Sequence, residues 1–457
     1  MPTASGAVLG STEPSSPQQA QTTRPILLAD ASWYGTLASA RDIGGRGVPV
    51  VLASDMPFAP ARWSRHVARN VRCPPTRQQA RFGEWLAAFG EREPGHAYYP
   101  TSDDTAWVAS SHREALSKHF ALYSPPLSAL ARILDKYELA THGRAAGLDM
   151  PETFCPTSEA ELEQLIPQLR FPVFMKARSQ FIDVNDKKGA RVPDAGDLRR
   201  RWKHWLATAV VSPEARGVVE GLEFPVIQSF AGATERIYTV DGFCDPTGEI
   251  FVTMGCVKIL QRPRGNGPGI IFSGAPVPAE IHEGLRKLCL STGFHGMFDA
   301  EFAESEGRKL FIDFNPRVYN HIAFEVERGM PLPWMAYLGA TGQVDELRRV
   351  AQAAAHMAHS DRVYIHKMSV KILMWGQRLS GGMTREERAR WLAWMDAQGA
   401  AVTDPSRTPD DPLPVRMERL LELSAFARHP RSYLRTLGKK GGGTPPAVQP
   451  RPVKTPS

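Results

Sequence analysis

Two short runs, Met297-Phe-Asp-Ala-Glu-Phe302 and Leu310-Phe-Ile-Asp-Phe-Asn-Pro-Arg317, flank the turn Glu306-Gly307, and both alternate apolar with polar residues. Period-two alternation is a strand signal, because successive side chains on a strand point to opposite faces. Folded as a hairpin, Phe298, Ala300, Phe302, Leu310, Ile312 and Phe314 make one apolar face that a core must cover. Asp299 and Glu301 from the first strand, with Asp313, Asn315 and Arg317 from the second, take the opposite face. With Glu301 across from Asp313, two carboxylates stand side by side next to an amide oxygen.

Carboxylates crowded in this way repel unless a cation neutralises them. Mg2+ prefers hard oxygen ligands with room left for waters and phosphates. Arg317 adds a fixed cation suited to a phosphate or a developing oxyanion. The competing reading is a solvated acidic hairpin face with a structural arginine, and on these residues alone the two stand level.

At 457 residues the chain exceeds one ordinary core. It opens as strand–helix–strand, with Pro25–Ala29, Tyr34–Gly45 and Val48–Leu52, the start of a parallel sheet. No G-x-G-x-x-G follows the first strand, which disfavours a dinucleotide site. The polar turn Pro100–Asp104 falls where ligand groups collect in open α/β sheets. A helical stretch over Pro126–Gly147 precedes the strand Phe171–Ala177. Further strand signals cover Val226–Phe230, Arg236–Val240 and Ile250–Met254, and the chain turns helical beyond Met330. Arg262-Pro-Arg-Gly-Asn-Gly-Pro-Gly269 reads as a mobile cationic loop, which Lys258 joins, suited to closing over an acidic substrate; an ordinary exposed loop is the alternative.

The formal charge of +7 invites a nucleic-acid reading until it is located. Beyond Glu422 there are seven basic and no acidic residues, leaving 48 basic against 48 acidic in the body. The excess therefore belongs to a tail and not to a binding face. No run approaches the ~20 apolar residues of a membrane helix. Five scattered cysteines with no C-x-x-C argue against a disulfide framework or a structural zinc site and suit a reducing cytoplasm.

Phe311-Ile-Asp-Phe-Asn-Pro-Arg317 resembles the closing metal-site strand of the ATP-grasp superfamily, in which a carboxylate, one spacer and Asn-Pro-Arg follow an acidic residue on the neighbouring strand. The resemblance implies Glu301, Asp313 and Asn315 as Mg2+ ligands and Arg317 as the residue steadying the transferred phosphate. It further implies Lys136 and Lys176 as phosphate contacts, with Lys176 also catalytic. Gln228, Ser229, Phe230 and Ala231 match the hinge strand that reads adenine, and Glu235 matches the acid that holds the ribose. Two departures are visible: Gly189 is the only glycine in the Arg178–Arg191 loop, and Gln228 stands where relatives often carry Glu.

The implied fold is mixed α/β and α+β. A leader over 1–23 precedes a Rossmann-like domain over 24–124. ATP-grasp subdomains with antiparallel sheets follow over 125–225 and 226–342, then a helical extension over 343–438 and a disordered basic tail over 439–457. The implied activity is ATP- and Mg2+-dependent ligation of a small-molecule carboxylate to an amine, with no specific nucleic-acid partner and a homodimer left open. A nucleotide-binding protein without turnover and a small-molecule kinase are the rival readings.

Overall fold

In the computed structural model, residues 23–183, 189–229, 236–264, 267–305, 307–357, 360 and 362–438 are described. The tail over 439–457, most of the leader, and Phe230, Ala231 and Glu235 lie outside them. The first sheet is parallel, with β1 (Ile26–Ala29), β2 (Val50–Ala53), β3 (Arg69–Val71), β4 (Ala97–Tyr98) and β5 (Ala121–Leu122) in the order β3-β2-β1-β4-β5. Strands β1 and β2 are apolar on both faces because helices cover both. Ile26 and Leu28 pack on helices Tyr34–Gly44 and Leu332–Ala340, while Leu27 and Ala29 pack on Gln79–Arg92 and Asp103–Ser111. The Leu332–Ala340 helix thus returns to the first sheet, although in sequence it follows the hairpin over 296–315. The strand order reverses between β1 and β4, which opens a crevice at their C-terminal ends.

The helical stretch expected over Pro126–Gly147 is two helices, Leu127–Leu134 and Lys136–Ala145, separated by Asp135 in extended conformation. The break has a local cause. Asp135 caps the second helix, accepting from the backbone N–H of Tyr137 and Glu138.

The chain then makes β6 (Thr153–Phe154), β7 (Val173–Lys176), β8 (Ile182–Asp183), β9 (Ala190–Val192), β10 (Val210–Val211) and β11 (Val226–Ser229). Four of these form an antiparallel sheet in the order β6-β11-β7-β9, and β8 pairs with β10. Because β11 belongs to this sheet, the division between the second and third sheets falls after Ser229, whereas the expected boundary stood before Val226.

The third sheet has seven strands: β12 (Arg236–Cys244), β13 (Phe251–Gln261), β14 (Gly269–Ala275), β15 (Gly296–Ser305), β16 (Arg308–Asn315), β17 (Val363–Ile365) and β18 (Val402–Thr403). Their order is β16-β15-β12-β13-β14-β17-β18. Strands β17 and β18 come from the segment expected to be a purely helical extension. Their side chains Val363 and Ile365 share a core with Trp391, Trp394 and Met374 of the C-terminal helices. The C-terminal helical stretch is also broken, into Leu413–Arg428 and Pro430–Leu437. It packs through Pro414, Glu418 and Leu437, leaving Leu420 and Leu423 exposed.

One face of this sheet is aromatic. Phe298, Phe302, Phe311 and Phe314 are buried against helix Ala279–Thr292 and Leu139, and each such ring contributes about 1.5–3 kcal/mol on burial. The strict alternation expected along the second strand is broken by a bulge. Glu301 faces Asp313, but Phe302 faces Phe311, so Ile312 is the extra residue and is only half buried. Phe311 thereby takes the core position expected for Leu310 or Ile312, with its ring centroid 5.1 Å from that of Phe302.

Candidate active site

The opposite face of the same sheet is polar and meets the crevice of the first. The hairpin register places Glu301 opposite Asp313 and Asp299 opposite Asn315. Two lysines from other elements complete the carboxylate pair. Lys258 on β13 reaches Glu301 Oε1 at 2.9 Å, and Lys136 reaches Asp313 Oδ1 at 2.6 Å. These contacts leave Glu301 Oε2 and Asp313 Oδ2 outside the ion pairs, on side chains that are partly open to solvent.

Lys136 is held in place by its neighbours. Its backbone N–H donates to the Arg178 carbonyl at 2.9 Å, while Arg178 Nε donates to the buried Asp135 carboxylate at 2.7 and 2.8 Å. Arg178 lies two residues beyond Lys176, so the helix start and the end of β7 are locked together. Burial pulls the Lys136 ammonium down, but the charge and hydrogen bond of Asp313, joined by Glu301 and Asp103, more than offset it, and its pKa is raised. Asp313 is correspondingly held below the usual carboxylate range: burial pushes it up, but Lys136, Lys176 and Arg317 together outweigh that.

Lys176 is different. Burial, and then the neighbouring Lys136 charge, push its pKa down to about 7, with Asp313 and Glu301 offsetting only part. The Lys176 backbone belongs to the β7–β11 ladder, but no hydrogen bond or ion pair joins its side chain to another described residue. A half-neutral amine held this near two carboxylates is poised to gain a proton when an anion arrives.

Arg317 forms a fork on Asp103, Nε to Oδ1 at 3.0 Å and Nη2 to Oδ2 at 3.3 Å, and also donates from Nη2 to Asn315 Oδ1 at 2.9 Å. Asp103 opens the helix after β4, and Ser102 caps that helix. Asn315 Nδ2 in turn donates to Asp299 Oδ2 at 3.1 Å. The crevice of the first sheet is therefore tied to β16 and β15 through Asp103, Arg317, Asn315 and Asp299.

The structure thus gathers Lys136, Lys176, Glu301, Asp313, Asn315 and Arg317 into one cleft. Gln228 and Ser229 lie further along the neighbouring strand and hold β6: Gln228 Nε2 donates to Thr153 Oγ1 at 2.9 Å, and Ser229 Oγ accepts from the Glu152 N–H at 3.0 Å. Phe230, Ala231 and Glu235 fall outside the described residues. The cationic-loop expectation is corrected. Arg262 pairs with Glu422 at 2.7 Å and Arg264 with Glu387 at 2.9 Å, both on the C-terminal helices, so neither is poised to close over a substrate. Lys258 serves Glu301 instead of that loop.

Sequence reasoning missed Asp135, Arg178, Asp241, His321, Glu325 and Arg328. A signal existed for Asp241, a lone carboxylate inside the otherwise non-ionic run Ile237–Cys244, and for Glu325 and Arg328 in their i,i+3 spacing.

The donor set fits Mg2+ and a polyphosphate. Two adjacent carboxylates and an amide oxygen supply hard ligands, and four basic side chains from four elements, Lys136, Lys176, Lys258 and Arg317, face them. No protein-family model matches the sequence, and comparison with curated proteins gives no match. Solved structures do match. The biotin carboxylase domain of Hydrogenobacter thermophilus 2-oxoglutarate carboxylase, described as a dimer with MgADP, ADP and bicarbonate, superposes with a TM-score of 0.56 at 15% identity over 70% of each chain. Campylobacter jejuni biotin carboxylase in a β-γ-ATP complex gives 0.55 at 15%, over 71% of this chain and 72% of that one. An L-amino acid ligase from Bacillus licheniformis gives 0.51 at 14%, over 70% and 75%. The architecture of this chain is the ATP-grasp fold.

Proposed function

We propose that the chain is an ATP-dependent ligase that activates a carboxylate as an acyl phosphate and joins it to an amine, with amino-acid or peptide-like substrates. The observation that carries this reading is the meeting of Lys136, Lys176 and Arg317, from three separate elements, around the Glu301–Asp313 pair. The ligase and carboxylases that share the fold support it.

In this reading Glu301, Asp313 and Asn315 hold Mg2+, which neutralises polyphosphate charge when bound. Lys136 and Lys176 receive the nucleotide phosphates. Arg317, fixed by Asp103, offsets charge on the transferred phosphoryl group. Gln228 to Ala231 and Glu235 serve the base and ribose. Position and fixed charge do the work, with no protein nucleophile. That agrees with the thiols: burial pushes Cys155 up to about 11 and Cys73 up to about 12. A homodimer, the state named for the Hydrogenobacter domain, and action in a reducing cytoplasm belong to the same reading.

The test is ADP release from MgATP with amino acids and small carboxylates, supplied singly and in pairs. The expected result is ADP only when an acid and an amine are both present. ADP with a single acceptor and a stable phosphorylated product would make the protein a kinase instead.

A further inference from the structure

Behind the Arg317–Asn315–Asp299 chain lies a second cluster that the ligase reading does not use. Asp241 on β12, Cys256 on β13, and His321 and Glu325 from the segment after Arg317 bring their ligand atoms within 4.8 Å of one another, and all four are buried. His321 Nε2 lies 3.2 Å from Asp241 Oδ2, and Cys256 Sγ lies 3.6 Å from the same oxygen. Arg328 Nη2 binds Glu325 Oε1 at 2.8 Å, and its Nη1 donates to the Gly255 carbonyl at 3.0 Å. Asp299 sits directly across from Asp241 on the paired strand.

The arrangement is short of positive charge. Asp241 Oδ1, Asp299 Oδ1 and Glu325 Oε2 are buried and receive no hydrogen bond. Three buried carboxylates crowd together here, with Arg328 on Glu325 and the Lys258 charge, shared with Glu301, acting on Asp299, which is costly unless protons or a further cation offset the remainder. A thiol, an imidazole and two carboxylates on three elements form the mixed donor set that a borderline divalent metal takes at a closed site.

We propose that Asp241, Cys256, His321 and Glu325 hold one divalent cation of the zinc class, with Arg328 and Asp299 in its second layer. Binding expels the Cys256 proton to solvent and leaves the metal's oxidation state unchanged. The cation ties the His321–Arg328 segment to β12 and β13, and so fixes the chain immediately beyond Arg317.

The test is metal analysis of the full-length protein purified without chelator, followed by stripping and titration with Co2+. The expected result is about one zinc-class ion per chain, a lowered melting temperature after stripping, and a near-ultraviolet thiolate-to-Co2+ band that Cys256→Ser removes. The MgATP-dependent melting shift should survive in that variant, because Cys256 touches none of Lys136, Lys176 or Asp313; this separates the metal site from the ligase reading. A folded protein without a tightly held transition metal that takes up no Co2+ overturns the proposal and leaves the cluster as carboxyls sharing protons. A Co2+ signal indifferent to Cys256→Ser overturns it too, since the ion then sits elsewhere.

Discussion

The Nε of Arg317 lies 3.0 Å from the Oδ1 of Asp103, although 214 positions separate the two residues. The pair joins the switch-point crevice of the parallel sheet to the end of β16. It also fixes the guanidinium plane beside Asn315, so Asp103 is a positioning residue for Arg317. Asp103→Asn should lower turnover by about 10- to 100-fold, the usual cost of losing such a supporting contact. The MgATP-induced melting shift should be largely kept, because the hydrogen bonds of Asp103 go to Arg317 and its effect on Lys136 is only the weakest of that lysine's charge contacts. Equal loss of nucleotide binding and turnover would assign Asp103 a different role.

Asp313→Asn and Glu301→Gln preserve volume and remove one negative charge each from the hairpin face. Each should cost on the order of 10²–10³ in kcat, with circular dichroism and melting close to the parent protein. Activity that persists in the double variant would rule out the Mg2+ assignment.

The depressed Lys176 predicts a proton signature. Its pKa of about 7 arises from burial and from Lys136, so at about pH 8 most of it is neutral in the free protein. A bound polyphosphate favours the ammonium form. MgATP binding at about pH 8 should therefore take up close to one proton, and little at about pH 6 where Lys176 is already charged. Calorimetry in buffers of different ionisation enthalpy measures the uptake. Lys176→Met should abolish it, and uptake unchanged in that variant would place the titrating group elsewhere.

The C-terminal helices give a contrast in stability. Leu437 is 2% exposed and packs on Gly376, whereas Leu423 is 65% exposed. Leu437→Ala should cost about 2–5 kcal/mol in urea unfolding, and Leu423→Ala should stay within about 0.5 kcal/mol. Comparable losses at both positions would mean that the leucine-rich face of Leu413–Arg428 is covered in solution.

What the sequence revealed follows the range of each interaction. The Glu301–Asp313 register was legible because a short turn joins the two strands and period-two alternation sets their faces. The bulge at Ile312 was not, since Leu310, Phe311 and Ile312 are all apolar and any of them satisfies the pattern. The cap at Asp135 is local, but its anchoring by Arg178, which arrives 43 positions later, left no local trace. Asp241 and Asp299 became neighbours only through the pairing of β12 with β15, which skips β13 and β14 and which no local motif encodes. Strands β17 and β18 are three and two residues long and lie among helices, where periodicity has too few residues to register.

The account stands most directly on whether the Lys136–Lys176–Asp313 cleft binds MgATP, and the melting temperature of the purified protein with and without millimolar MgATP measures it. A ligand that binds only the folded state stabilises it by about 2.7 kcal/mol at a hundredfold excess over Kd. The account predicts a clear upward shift that Lys176→Ala largely removes. A melting curve unmoved by MgATP in the folded parent protein would contradict it.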